Sequence, residues 1–84
     1  MTVVTTPLSI EDVVLAQRLR RAFDKGLAMT NASRRSCLEA RTSAIRAALD
    51  VDIISDKPVR GRPGRIARKL GLKRRTVDRI LATL

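Results

Sequence analysis

Apolar residues recur with a helical period soon after the start of the chain. Leu15, Leu19, Ala22 and Phe23 stand at i, i+4, i+7 and i+8 and form one stripe, while Gln17, Arg18, Arg20, Arg21 and Asp24 populate the other side. Ser9 followed by Asp12 has the spacing of a capping box, and Gly26 offers a left-handed stop. A first helix from about Ile10 to Lys25 is therefore predicted. Its stripe must be buried, either against a second copy of the chain or over the core of its own.

Leu27 to Asn31 reads as a connection, and Asn31 or Ser33 caps a second helix from about Ser33 to Leu49. Leu38, Ile45 and Leu49, with Ala44 and Ala48, give that helix a narrow apolar seam that leaves Glu39, Arg41 and Arg46 outside. Cys37 fits there as a small buried hydrophobe. The β-branched run Val51 to Ile54 has no partner of similar character and is expected to be a packed linker. Asp56, Lys57 and Pro58 then break the chain, and residues 1–8, rich in Thr and Val, read as an extended lead-in. The expected class is all-α, a small domain of about four helices, the last two within the segment from Arg65 to Leu81.

Charge divides this chain in two. Residues 1–56 carry eight basic and seven acidic side chains, whereas residues 57–84 carry ten basic side chains and only Asp78. The first part is expected to support the core and dimerise, and the second to meet a polyanion, within one folded unit of 84 residues. Phe23 is the only aromatic residue, which leaves nothing to build a stacking platform for unpaired bases, so double-stranded DNA is the expected partner. His is absent and Cys37 is alone, so metal clusters, Ser/His triads and Cys/His dyads are excluded and no enzyme, catalytic residue or cofactor is expected. No apolar run approaches the roughly 20 residues of a membrane span, and the first residues lack the pattern of a signal peptide. A cytoplasmic protein with no small-molecule effector is the resulting expectation.

The segment from Arg65 to Leu81 resembles a helix-turn-helix DNA-binding unit. Ala67 allows two short helices to approach, Gly71 permits positive φ in the turn, and Ile66, Leu70, Leu72, Val77 and Ile80 occupy the interlocking apolar positions. The second helix departs from the pattern at its start, where Lys73 and Arg74 replace the usual Ser or Thr. The resemblance implies that Lys73, Arg74, Arg75, Asp78 and Arg79 face base edges in the major groove and that Thr76 touches a phosphate or a thymine methyl. Arg75 and Arg79, four apart, are the preferred base readers, and Asp78 either accepts from a cytosine amine or, the favoured role, holds Arg74 or Arg75.

Upstream, Arg60-Gly61-Arg62-Pro63-Gly64-Arg65 resembles the Gly-Arg-Pro arm of resolvases and invertases and is similar to an AT-hook. That likeness implies an extended arm in the minor groove, with Arg60, Arg62 and Arg65, helped by Arg68 and Lys69, on the groove or on phosphates. The same residues also suit a linker with Pro63 in the first turn of a helix.

In overall plan the chain resembles the Kor group of small repressors of broad-host-range plasmids, specifically over residues 60–82. That resemblance implies a homodimeric transcriptional repressor on a palindromic operator, with Leu15, Leu19 and Phe23 available for dimerisation. Two alternatives stand beside it, an architectural accessory of site-specific recombination and an RNA-binding protein.

Overall fold

Local capping decides where this chain turns. In the computed structural model, which describes residues 7–84, four helices follow one another: α1 (Ile10–Lys25), α2 (Asn31–Ile54), α3 (Arg62–Leu70) and α4 (Arg74–Thr83). No strand occurs among the described residues, and the class is all-α. No described helix is long and apolar enough to cross a membrane. The lead-in expected for residues 1–8 lies outside the described residues except for Pro7 and Leu8, and Leu8 packs on the core.

The first helix has the predicted bounds. Ser9 Oγ accepts from the Asp12 amide at 3.4 Å, and Gly26 closes the other end at φ 63°. For α2 the cap is Thr30, whose Oγ1 accepts from the Ser33 amide at 3.1 Å, in place of the expected Asn31 or Ser33. The helix also continues through Val51 to Ile54, which corrects the expectation of a linker. The added turn carries Asp52, buried against α3, and a tertiary contact of that kind overrides the weak helix propensity of β-branched residues. Asp56 ends α2 in the left-handed region at φ 51°, where its amide reaches the Ile53 carbonyl and that of Lys57 the Asp52 carbonyl.

One core holds the elements together. Ile45 of α2, Ile66 and Leu70 of α3, and Val77 and Ile80 of α4 meet with Ala16 of α1 and Leu72 of the turn. Burying side chains such as Ile45, Ile66, Leu70 and Val77 contributes about 1.5–3 kcal/mol each. The α1–α2 pairing is the most extensive, and beside Leu19 and Ile45 the buried residues of these helices are small: Ala16 and Ala22 on one side, and Cys37, Ala40, Ala44, Ala47 and Ala48 on the other. Small side chains let two helix backbones approach closely. Leu19 is 1% exposed and so is covered within its own chain, which removes it from the dimerisation set, whereas Leu15 is half-buried and Phe23 exposed.

The basic segment 60–65 is not extended. Gly61 caps α3 at φ 82°, and Arg62 and Pro63 form its first turn. Asp52 draws the segment in: its carboxylate accepts from Arg62 Nε at 2.6 Å and from Arg65 Nε at 2.9 Å and Nη2 at 3.1 Å. The same guanidinium groups donate to carbonyls of the connection, Arg62 to Lys57, and Arg65 to Pro58 and Arg60. Two arginines thus clasp the end of α2, the loop and the start of α3 around one buried carboxylate.

The hydrogen bonds from Arg65, and after them the one from Arg62, hold the Asp52 carboxyl at about 2 against its ordinary 3.8, although burial pulls the other way. A carboxylate whose pKa falls on folding contributes stability that is complete above its unfolded value and is lost as pH drops toward the folded one. Stability should accordingly decline between about pH 4 and pH 2, and Asp52→Ala should remove that step from a urea-melt pH series. At pH 7 the same substitution should cost about 2 kcal/mol, because it strands two half-buried guanidinium groups. Equal urea midpoints for both proteins at pH 7 would reject the clasp.

Candidate nucleic-acid interface

Residues Gly71 to Lys73 join α3 to α4, an arrangement compatible with a helix-turn-helix. Gly71 sits at φ 67°, its amide bonds the Arg68 carbonyl, and the Leu72 amide bonds the Ala67 carbonyl at 2.9 Å. Leu72 then turns inward and is buried beside Val77. At the start of α4, Lys73 takes the cap position with no side-chain cap bond, as the missing Ser or Thr implies.

The polar side of α1 holds this turn. Gln17 Nε2 donates to the Leu70 carbonyl at 3.0 Å, and Arg20 Nη1 donates to the Gly71 carbonyl. One turn further along α1, Asp24 binds Lys73 Nζ at 2.8 Å and lies 3.6 Å from Arg20 Nε. The hydrogen bond from Lys73 keeps the Asp24 carboxyl below the ordinary carboxylate range. Gln17, Arg20 and Asp24 lie at i, i+3 and i+7, so the face expected to be solvated binds the last carbonyls of α3 and the first residue before α4. Only the three-four spacing of these polar residues hinted at that role.

Each residue expected at the interface can now be placed. On α4, Val77 and Ile80 point into the core and Arg74, Arg75, Asp78 and Arg79 are exposed, with Thr76 half-buried beside the turn. Asp78 Oδ2 lies 3.8 Å from Arg74 Nε, a loose pairing in the favoured sense. Arg75 and Arg79 make no ion pair among the described residues. Lys73 remains exposed but is tied to Asp24.

Around α3, Arg60, Arg68 and Lys69 are exposed, whereas Arg62 and Arg65 are half-buried on Asp52. An extended minor-groove arm through Arg62 and Arg65 is therefore corrected. The alternative with Pro63 in a first helical turn is what the chain adopts, because Asp52 binds both arginines more closely than an open arm permits.

Two further arginines, to which the sequence pattern assigned no site, belong to this region. Arg34 and Arg41, seven apart and on one face of α2, line a cleft with Thr76 and Arg79 of α4. Arg41 was expected outside the apolar seam, yet it is half-buried and its Nε is wholly buried. The guanidinium of Arg34 lies 5.3 Å from the centre of the Phe23 ring, which it covers.

The turn makes a specific demand at Gly71. A Cβ there would lie 2.9 Å from Gln17 Nε2 and would also carry positive φ, whereas at Gly26 only the backbone conformation opposes substitution. Gly71→Ala should therefore cost about 1–2 kcal/mol and Gly26→Ala about 1 kcal/mol, measured by chemical denaturation. A smaller loss at Gly71 than at Gly26 would show that Gln17 does not hold the turn. Compared with known proteins, the chain matches no family model, no curated protein and no solved structure.

Proposed function

We propose that this protein binds double-stranded DNA sequence-specifically, with α4 as the reading helix, and acts as a dimeric transcriptional repressor in the cytoplasm. The observation that carries the reading is the two-sided character of α4. Val77 and Ile80 lock one side into the core while Arg74, Arg75 and Arg79 stand exposed on the other, behind a turn fixed by Gly71 and by α1. A short helix held in that way can enter the major groove with its first residues toward the bases.

Arg75 is the leading base reader, since a guanidinium can bind guanine O6 and N7 together. Arg74 is steadied by Asp78. Arg60, Arg68 and Lys69, exposed around α3, supply phosphate contacts, and Arg62 and Arg65 act indirectly by fixing where α3 begins. One such helix reads only a few base pairs, so specificity calls for two copies on an inverted repeat with half-sites about 34 Å apart. With Leu19 buried, Ile10 and Val14 are exposed apolar side chains that α1 offers to a second copy, while Phe23 lies under Arg34. The resemblance to the Kor group supports repression at plasmid promoters.

The recombination reading depended on an extended Gly-Arg-Pro arm, and that segment forms the start of α3. No feature among the described residues favours RNA.

Selection of bound sequences from random duplexes at about 150 mM salt, where phosphate attraction alone is weakened, tests the proposal. An inverted repeat with half-sites one helical turn apart is expected; A·T-rich DNA alone, or no motif, would overturn it. On the selected site, Arg75→Ala should relax one base pair per half-site by about 1–3 kcal/mol, whereas Lys57→Ala should change binding to all duplexes alike. Equal losses for Arg75→Ala on selected and random DNA would sink its assignment as a base reader.

A further inference from the structure

The cleft between α1, α2 and α4 has a volume of about 430 Å³ and is walled on its apolar side by Phe23, Leu38 and Leu72. Five cations line it against one carboxylate, Asp24. Two of the five are already engaged: Lys73 binds Asp24, and Arg20 binds the Gly71 carbonyl. Arg34, Arg41 and Arg79 have no anionic partner among the described residues. Arg41 is the anomaly, because its Nε is buried without any hydrogen-bond partner and Arg79 stands near it with the same charge. Burial first, and Arg79 second, push the Arg41 guanidinium below its ordinary value, the direction expected when a cation is desolvated among like charges.

A buried, unpaired donor beside a second cation is unfavourable in an empty cleft and favourable once an anion with several acceptor oxygens enters. We propose that this cleft is a binding site for a phosphate ester, with the oxyanion held by Arg41 and Arg79 and the esterified group lying along Phe23 and Leu38. The planar fork of arginine matches phosphate geometry, and Thr76 adds a hydroxyl donor at the same wall. The volume exceeds what a bare phosphate fills and lies within the range of small-ligand sites. Two sources present this chemistry: the sugar-phosphate backbone of DNA docked on α4, and a free phosphorylated metabolite. The cleft does not depend on the DNA-binding reading, since its residues hold a phosphate ester from either source.

Phenyl phosphate is a suitable probe, followed by thermal unfolding at constant ionic strength with sodium chloride as the reference. The wild-type protein should show a saturable rise in Tm over chloride, Arg41→Met should show none, and Arg46→Met, an exposed arginine on the same helix, should keep it. Without phosphate, Arg41→Met should melt about 4 °C above the wild type, because the apolar stem is retained and the stranded charge is gone. A purely structural Arg41 would instead lower Tm on replacement.

Adding the selected duplex separates the sources. Competition with phenyl phosphate, and a salt slope of DNA binding that falls by about 0.9 per protomer in Arg41→Met, identify the DNA backbone; simultaneous binding identifies a free ligand. A protein that binds no DNA yet shows the Arg41-dependent rise keeps the cleft and loses the repressor reading. No rise over chloride, or an equal rise in Arg41→Met, overturns the site.

Discussion

Helix α3 spans nine residues, contains no acidic residue and has no side-chain cap, so it has little reason to form alone. Its position is imposed from both ends. At the start, the Asp52 carboxylate binds Arg62 and Arg65 and sets a negative charge near the N-terminal amides, where the helix dipole favours it. At the end, Gln17 and Arg20 accept the role of capping groups and bind the Leu70 and Gly71 carbonyls. The orientation of α4 follows, because only the three residues Gly71 to Lys73 separate the two helices.

This arrangement gives the N-terminal half a more specific task than filling the core. The α1–α2 pair forms a closely packed bracket, and each helix of the bracket extends one polar device toward the basic third: Asp52 from α2, and the Gln17–Arg20–Asp24 face from α1. Positive charge in residues 57–84 is consequently divided by function. Arg62, Arg65 and Lys73 are held in ion pairs within the fold, and the exposed cations Lys57, Arg60, Arg68, Lys69, Arg74, Arg75 and Arg79 create the field that a polyanion would meet.

Legibility in the sequence followed the range of the interactions. The bounds of α1, the burial of Ile66, Leu70, Leu72, Val77 and Ile80, and the turn at Gly71 rest on contacts within a few residues or on periodicity, and these were readable. The extension of α2 to Ile54 and the folding of the Gly-Arg-Pro segment were not, because both depend on Asp52 meeting arginines 10 and 13 residues away. An acidic residue in a β-branched run signals nothing by itself. Likewise, the bonds from Gln17 and Arg20 span 53 and 51 residues, beyond what helical periodicity encodes. For Arg41 the period misled: the apolar seam of α2 placed it outside, yet it is half-buried against α1 and α4, elements whose approach no local spacing encodes.

The two unusual charges of this fold contrast in a way that separates architecture from ligand binding. Asp52 is buried and fully answered, with both carboxylate oxygens bound and its pKa drawn down to about 2. Its burden is met inside the protein, so it reads as part of the scaffold. Arg41 is answered by nothing among the described residues: its Nε is buried without a hydrogen-bond partner, and burial, then the like charge of Arg79, disfavours its charged form. Replacing one guanidinium by an apolar side chain of similar reach would relieve that repulsion without disturbing the core, since Ile45 and Ala44 carry the packing of α2 at this level. A local conflict that a simple substitution removes is most readily explained by a partner that resolves it, and the open side of the cleft, shared by Thr76 and Arg79 of α4, is where such a partner would enter.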